Sequence, residues 1–364
     1  MKRAVLFVFV TLGGLAGARA VAAEAVPRSV VARALALNEE ASKLYLQAHY
    51  REAEAVYRRS LAAWDHAGPE GARERAVTER NLGTLLRTEG RYAEAEQVLV
   101  ECLRHAESNF GAGSLEAARA THGLASVYLE WGQFEEAERL VLRAKAVIDE
   151  QVPATASERT DVARTLAAVY LGQERYRQVE LLLQPLVGGK PNRLTAGIYN
   201  DLAVAALRQQ HLAEAESLAL QAVATAKQML QAGHPVIGAA LTNLGEIYRA
   251  EGRFVEAEKC YLDAIETLSS TLGPQNAETA RAIRELAAFD HQRGRDASAE
   301  TLYRRAAAIF ERAYGPDHPL VLAAHTELAD LLRAEGRVAE SDRIMSEIHR
   351  RQGGNSGIFQ RSAP

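Results

Sequence analysis

The sequence predicts an all-α chain, a solenoid of about eight stacked helix pairs, and three observations predict it. The first is a fixed period. A residue that follows a polar or basic turn position recurs as Tyr50, Tyr92, Phe134, Tyr176, Leu212, Phe254, Asp296 and Val338, at intervals of 42, 42, 42, 36, 42, 42 and 42 residues. The second is that small residues keep step with it. Three residues after each marker stands Ala53, Ala95, Ala137, Val179, Ala215, Ala257, Ala299 or Ser341. Nine before each marker from the second onward stands Gly83, Ala125, Ala167, Ala203, Gly245, Ala287 or Ala329, each preceded by Leu. Small residues at paired positions let two helix axes approach closely. The third is composition: 48% hydrophobic, 25% charged and 6% aromatic over 364 residues describes an Ala-rich helical chain.

The stretch Leu241 to Ala264 shows the unit most plainly. Leu241, Leu244, Ile247 and Tyr248 recur at helical spacing, and Gly252 ends that run where a left-handed residue is expected. Phe254, Ala257, Tyr261, Ala264 and Ile265 then line one side of a second helix. Such a hairpin leaves an apolar stripe uncovered, so it has to stack on copies of itself.

This pattern resembles the tetratricopeptide repeat, whose usual period is about 34 residues. The 42-residue period, with Gly-Pro-Asp-His-Pro at 315–319 and Gly-His-Pro at 233–235 between units, is similar to the kinesin-light-chain subtype. The resemblance covers roughly Val30 to Arg351 and implies a right-handed α-α superhelix. The extra residues per unit amount to about two helical turns, most simply one for each helix.

Residues 1–23 form a separate object. Lys2 and Arg3 precede an apolar run from Ala4 to Ala16, and Ala18-Arg19-Ala20 or Val21-Ala22-Ala23 supplies the small residues of a signal-peptidase site. The run is shorter than the ~20 residues that span a bilayer. The expectation is therefore export to the periplasm or the exterior of a bacterial cell, with no stable membrane insertion after cleavage. Loss of Lys2, Arg3 and Arg19 takes the net charge from −4 to −7. Neither value suggests a nucleic-acid partner.

Residues 26–184 hold units one to four, starting with the apolar helix Val26 to Leu46 and its partner from Tyr50. The single short interval, 36 residues, contains Pro185, Gly188, Gly189 and Pro191. Prolines there prevent a long second helix in unit four. Residues 185–195 are accordingly expected to be an irregular linker where the array changes curvature or flexes. Units five to eight occupy 196–351, and their last helix, Ala339 to Arg351, carries Glu340, Asp342, Arg343 and Glu347 as a polar capping face. The Gly-, Ser- and Asn-containing residues 352–364 read as a disordered tail.

Nothing in the sequence assembles a catalytic site. There is no His-Glu-x-x-His, no Gly-x-Ser-x-Gly and no phosphate loop; Gly188-Gly189-Lys190-Pro191 lacks the hydroxyl and the following helix. Cys102 and Cys260 lie four units apart and read as small core residues, neither a disulfide nor a metal site. His234 and His318 each precede Pro at one repeat position, which argues for helix capping with Pro235 and Pro319 at the first helical position. Tyr57, Tyr128, Tyr170, Tyr248, Tyr261 and Tyr303 read as core, and the Glu-Ala-Glu triplets at 94–96, 214–216 and 256–258 as mostly solvated. No catalysis, cofactor or metal is expected.

Binding remains. The resemblance implies that the first helices of successive units line a concave groove in which a peptide or protein segment lies. Mapped onto this chain, the groove includes Arg80, Asn81, Arg87, Arg119, His122, Arg164, Asn200, Asn243 and Arg249. Asn81 and Asn243 precede the Leu-Gly pair, where the family often uses Asn on a ligand backbone; a side-chain amide offers both donor and acceptor. Nine arginines face seven acids along the lining, and the excess lies in the first half, where Arg80, Arg87, Arg119 and Arg164 stand against Glu130 and Asp161. That half is expected to accept an acidic or carboxylate-ended segment through bidentate arginine contacts. The alternative for these arginines is pairing with acids of adjacent helices. The expected role is an exported interaction scaffold; the alternative is a peptide-sensing regulatory subunit whose stack closes on its ligand.

Overall fold

The structure, a computed structural model, describes residues 28–47, 49–153, 156–187, 194–230 and 234–356. Among these residues there are sixteen α-helices and no strands, arranged as eight antiparallel pairs. Unit one is α1 (Arg28–Leu46) with α2 (Tyr50–Trp64), and unit two is α3 (Ala72–Thr88) with α4 (Tyr92–Phe110). Unit three is α5 (Leu115–Glu130) with α6 (Phe134–Gln151), and unit four is α7 (Ser157–Gly172) with α8 (Tyr176–Leu183). Unit five is α9 (Thr195–Arg208) with α10 (Leu212–Met229), and unit six is α11 (Pro235–Ala250) with α12 (Phe254–Leu272). Unit seven is α13 (Ala277–Gln292) with α14 (Asp296–Tyr314), and unit eight is α15 (Pro319–Ala334) with α16 (Val338–Ser356). Each of the eight periodic markers is the first residue of a second helix. The solenoid predicted from the period is the solenoid observed.

The small residues do what their spacing implied. Ala53, Ala95, Ala137, Val179, Ala215, Ala257 and Ala299 are wholly buried, and so is every Ala that stands nine residues before a marker. Two units carry glycine there, and in both the facing second helix leaves no room for a methyl, although Ala287 is accommodated beside Tyr303 and Ala167 beside Leu183. A Cβ on Gly245 would lie 2.9 Å from the ring of Tyr261, and one on Gly83 would lie 2.6 Å from Leu99. Where the facing residue is small, as Ala219 is in the core it shares with Ala203, the first helix carries a methyl instead.

Within units two to eight the tight turn has a left-handed residue two positions before the marker. Gly90, Gly132, Gly252, Gly294 and Gly336 supply it, with φ between +70° and +81°. At the same position units four and five use Glu174 (φ +59°) and Gln210 (φ +62°). The residue after this one is usually arginine, and it ties each unit to the one before. Arg91 bonds Glu54 at 2.6 Å, Arg175 bonds Glu138 at 2.6 Å, Arg253 bonds Glu216 at 2.7 Å, Arg295 bonds Glu258 at 3.0 Å and Arg337 bonds Glu300 at 2.9 Å. The reading of the Glu-Ala-Glu triplets as solvated therefore needs correction. The first Glu of each is exposed, but the second faces a neighbouring element: Glu216 and Glu258 accept from arginine and Glu96 from the Tyr128 hydroxyl.

The expected irregularity falls at unit four. α8 has 8 residues where the other second helices have 15 to 19, and a 3₁₀ turn at Gln184–Leu186 holds Pro185. The core nevertheless runs across the junction, since Ala163, Ala167 and Val179 share a cluster with Ile198, Leu202 and Ala205. Residues 188–193, including the Gly188–Pro191 motif, lie outside the described residues, as does the expected signal segment. Two expected boundaries shift. Thr195 already opens α9, and α16 continues to Ser356, past the predicted end at 351, so the first part of the expected tail is helical; 357–364 lie outside the described residues.

His234 and His318 cap α11 and α15, their Nδ1 atoms accepting from the backbone N–H of Val236 at 3.3 Å and Leu320 at 3.1 Å. Cys102 and Cys260 are buried free thiols, in separate parts of the core. Among the described residues no helix is long and apolar enough to cross a membrane.

The solenoid also returns on itself. His318 packs directly over Gly90 in the α3–α4 turn, so closely that a Cβ on Gly90 would collide with the imidazole. The turn edges of units one and two thus meet the loop edges of units six to eight.

Candidate functional site

The first helices of the pairs face inward, and their polar side chains are spaced one period plus one residue apart. That offset places a residue of one helix beside its counterpart on the next. Asn81 donates to Asn38 at 3.2 Å, Asn243 donates to Asn200 at 2.8 Å, and Arg249 donates to Gln292 at 2.8 Å. Arg87 pairs with Glu130, and Tyr45 bonds Thr88 at 3.0 Å. Each of these contacts spans 43 residues, so the concave surface is a row of lateral rungs tying unit to unit.

His122 makes another rung. Its Nε2 lies 2.9 Å from the hydroxyl of Thr165, and that hydroxyl donates to the carbonyl of Asp161. Nε2 must then carry the proton, and Nδ1 is left as an acceptor. Burial, reinforced by the charge of Arg87, pulls the His122 pKa down to about 4.

Most of the basic excess expected in the first half is neutralised. Arg119 forms a two-pronged pair with Glu158 at 2.7 and 2.9 Å, and Arg164 pairs with Asp201 at 2.7 Å while lying over the backbone of Gly197. These partners sit 39 and 37 residues downstream, short of a full period. Counting by repeat position therefore missed Glu158 altogether. The pairing alternative holds for Arg87, Arg119 and Arg164.

Arg80 differs. It is half-buried on the groove side of α3, and among the described residues it makes no ion pair or hydrogen bond. Burial, with Arg119 nearby, lowers its pKa below the ordinary arginine value. Around it lies a pocket of about 360 Å³ lined by Asn81, Thr84, Arg87, Arg119, His122 and Ser126, among others. Five of the nine sequence-predicted residues thus converge on one pocket: Arg80, Asn81, Arg87, Arg119 and His122. Arg164, Asn200, Asn243 and Arg249 do not line it; they sit in the groove of units four to six.

In the second half the perturbed groups include acids. Burial and the proximity of Glu285 raise the pKa of Glu246, and burial raises that of Glu327. One carboxylate oxygen of Glu327 is buried without a hydrogen bond, 3.7 Å from the guanidinium of Arg284, which bonds Glu285 at 2.8 Å. Among the described residues no group of three or more His, Cys, Asp or Glu side chains is arranged to hold a metal ion.

Comparison with known proteins agrees with this architecture. A tetratricopeptide repeat family profile matches residues 74–150, 236–306 and 278–349, and a second tetratricopeptide repeat profile matches 195–236. No curated protein sequence matches the chain. Among solved structures, a Rap protein complexed with competence and sporulation factor is 14% identical with a TM-score of 0.55, covering 90% of this chain and 99% of that one. BtubC (BKLC) from P. vanneervenii is 19% identical with a TM-score of 0.47, covering 68% of this chain and 97% of that one. A kinesin light chain with nearly identical TPR-like repeats from Podosopora anserina is 21% identical with a TM-score of 0.37, covering 68% and 99%. At these identities the likeness concerns the fold.

Proposed function

We propose, from the premise that this chain belongs to the tetratricopeptide repeat family of protein–protein interaction scaffolds, that its concave groove holds a peptide or protein segment whose acidic or carboxylate group docks in units two to four. The observation that carries the proposal is Arg80. A guanidinium taken partly out of water, with Glu158 and Glu116 acting on it only from beyond contact distance, is held at a cost, and the cost is offset when a carboxylate arrives. Among the described residues Asp161 is the one acid of the lining, and the other groups suit that ligand. Arg80 supplies the charge, and Ser126 and the amide of Asn81 offer further polar contacts to a peptide unit. Arg87 and Arg119, already paired, hold the walls apart by rungs to α5 and α7. The structure of the Rap protein with competence and sporulation factor supports reading a fold of this kind as a ligand holder.

The function is non-catalytic and the mature chain works outside the cytoplasm. Export rests on Lys2, Arg3 and the apolar run that follows; cell fractionation that finds the full-length chain in the cytoplasm would refute it.

The groove is tested by fluorescence anisotropy with a labelled hexapeptide of Asp and Glu ending in a free carboxylate, its C-terminally amidated twin, and a Lys-rich control. The acidic peptide should bind and the Lys-rich one should not. Arg80→Met should weaken binding by about tenfold or more, as loss of a charge-assisted contact requires. Unchanged affinity in Arg80→Met overturns the proposal.

A further inference from the structure

Gly90 is one of five glycines at the same turn position, all with left-handed φ. A Cβ on Gly132, Gly252, Gly294 or Gly336 would point into open space; only at Gly90 is the space taken, by His318 from the other end of the chain. The imidazole is itself fixed. It caps α15 through Nδ1 and stacks on Tyr314 at 4.3 Å between ring centres.

On either side of this contact the two ends of the solenoid stand apart. A cleft of about 880 Å³ lies between His49–Glu54 with Arg91 on one wall and Gln275–Ala277 with Glu311–Gly315 on the other. A second, of about 520 Å³, lies between Tyr45, Tyr50 and Tyr92 and the facing Glu278, Arg281 and Tyr314. Junctions between successive units look different, since they are built from fully buried Ala, Leu and Val. His318 and Tyr92 are buried at the seam, but a contact flanked by open clefts contributes less free energy than the close-packed unit junctions.

We propose that this seam is a gate on the groove. Closed, it joins one turn of the superhelix to the next, so that a ligand enters only by threading a free end. Open, it admits an internal stretch of a folded partner from the side. The inference rests on the groove being the binding surface. It adds that the weak seam, and not the packed junctions, decides what kind of chain gains access.

The experiment uses turn substitutions matched for backbone strain. Gly90→Ala and Gly132→Ala place the same methyl at φ +71° and +80°, but only the first meets His318. Small-angle scattering should show a larger radius of gyration for Gly90→Ala alone. Adding His318→Asn, which keeps a capping acceptor and shortens the side chain, should restore the parent value. Access is read on a Ser126→Cys background as the labelling rate by a 5-kDa polyethylene-glycol maleimide relative to N-ethylmaleimide. The ratio should rise about tenfold or more in Gly90→Ala and stay level in Gly132→Ala. Equal scattering and equal labelling ratios in the two variants overturn the proposal. Should Gly90→Ala fail to fold, spin labels at Glu52→Cys and Arg312→Cys, which face each other across the larger cleft, report on the otherwise unaltered chain. Two distance populations support the gate, and one narrow population overturns it. None of these measurements uses a groove ligand, so failure of the gate and failure of the groove reading are told apart.

Discussion

The turns of units five and six build the same bend from different residues. In unit six, Gly252 takes φ +76° without a side chain to object, and Arg253 reaches back to Glu216 while lying 4.1 Å over the Tyr248 ring. In unit five, Gln210 is held at φ +62°, and His211 approaches only its own Glu214, at 3.8 Å. Glu180, the acid that the missing arginine would meet, accepts from Gln209 instead, at 2.7 Å. The helices on either side of both turns are equally buried at Ala203, Ala215 and Ala257. The difference teaches that packing can impose the turn where the turn residues do not favour it, at the expense of strain stored in the backbone.

The comparison breaks most sharply at the helix contact. Gly245→Val drives a branched side chain against the buried Tyr261 ring and should cost about 3 kcal/mol. Ala203→Val faces Ala219 and should cost clearly less. Equal shifts in urea midpoint would show that the close approach of the Tyr261 ring adds nothing to the cost. At the turns, Gly252→Ala has room for its methyl and so isolates the left-handed backbone, an expected loss of about 1 kcal/mol. Glu174→Gly and Gln210→Gly should each gain a similar amount, also read by urea titration. A destabilised Glu174→Gly would mean that the strain argument is wrong at unit four.

Unit eight departs from the pattern in another way. Ser341 stands where the other units have Ala or Val, and its hydroxyl is buried without a hydrogen bond. Ser341→Ala should raise stability by about 1 kcal/mol or slightly less, measured by the same titration. The smallest effect is expected from His211→Arg, which supplies the absent arginine opposite Glu180. An exposed pair of that kind contributes a few tenths of a kcal/mol, and 1 M salt should remove the gain.

How much of this was legible beforehand follows from what repeats. The markers fix the helix starts because each unit must bury the same stripe against the next, and that demand acts at one spacing. The caps at His234 and His318 were legible for the same reason. The arginine ladder left a signal too, an Arg just before the marker with a Glu four after the previous marker. It was overlooked because Glu-Ala-Glu also suits a solvated helix face. Arg119 with Glu158, and Arg164 with Asp201, gave no periodic signal, since those contacts depend on how far one helix slides past another. The meeting of Gly90 with His318 was out of reach of any local pattern. It depends on the summed small rotations of about six units, and a few degrees at each would separate the two by many ångströms.

That meeting has a bearing on the spacing of the units between its two ends. The eighth pair brings its capping histidine to the second pair's turn, so one copy fewer or one copy more between them would carry the histidine away from that turn. Self-encounter gives the array a ruler, and a duplication or deletion of a single unit would be felt far from where it occurred.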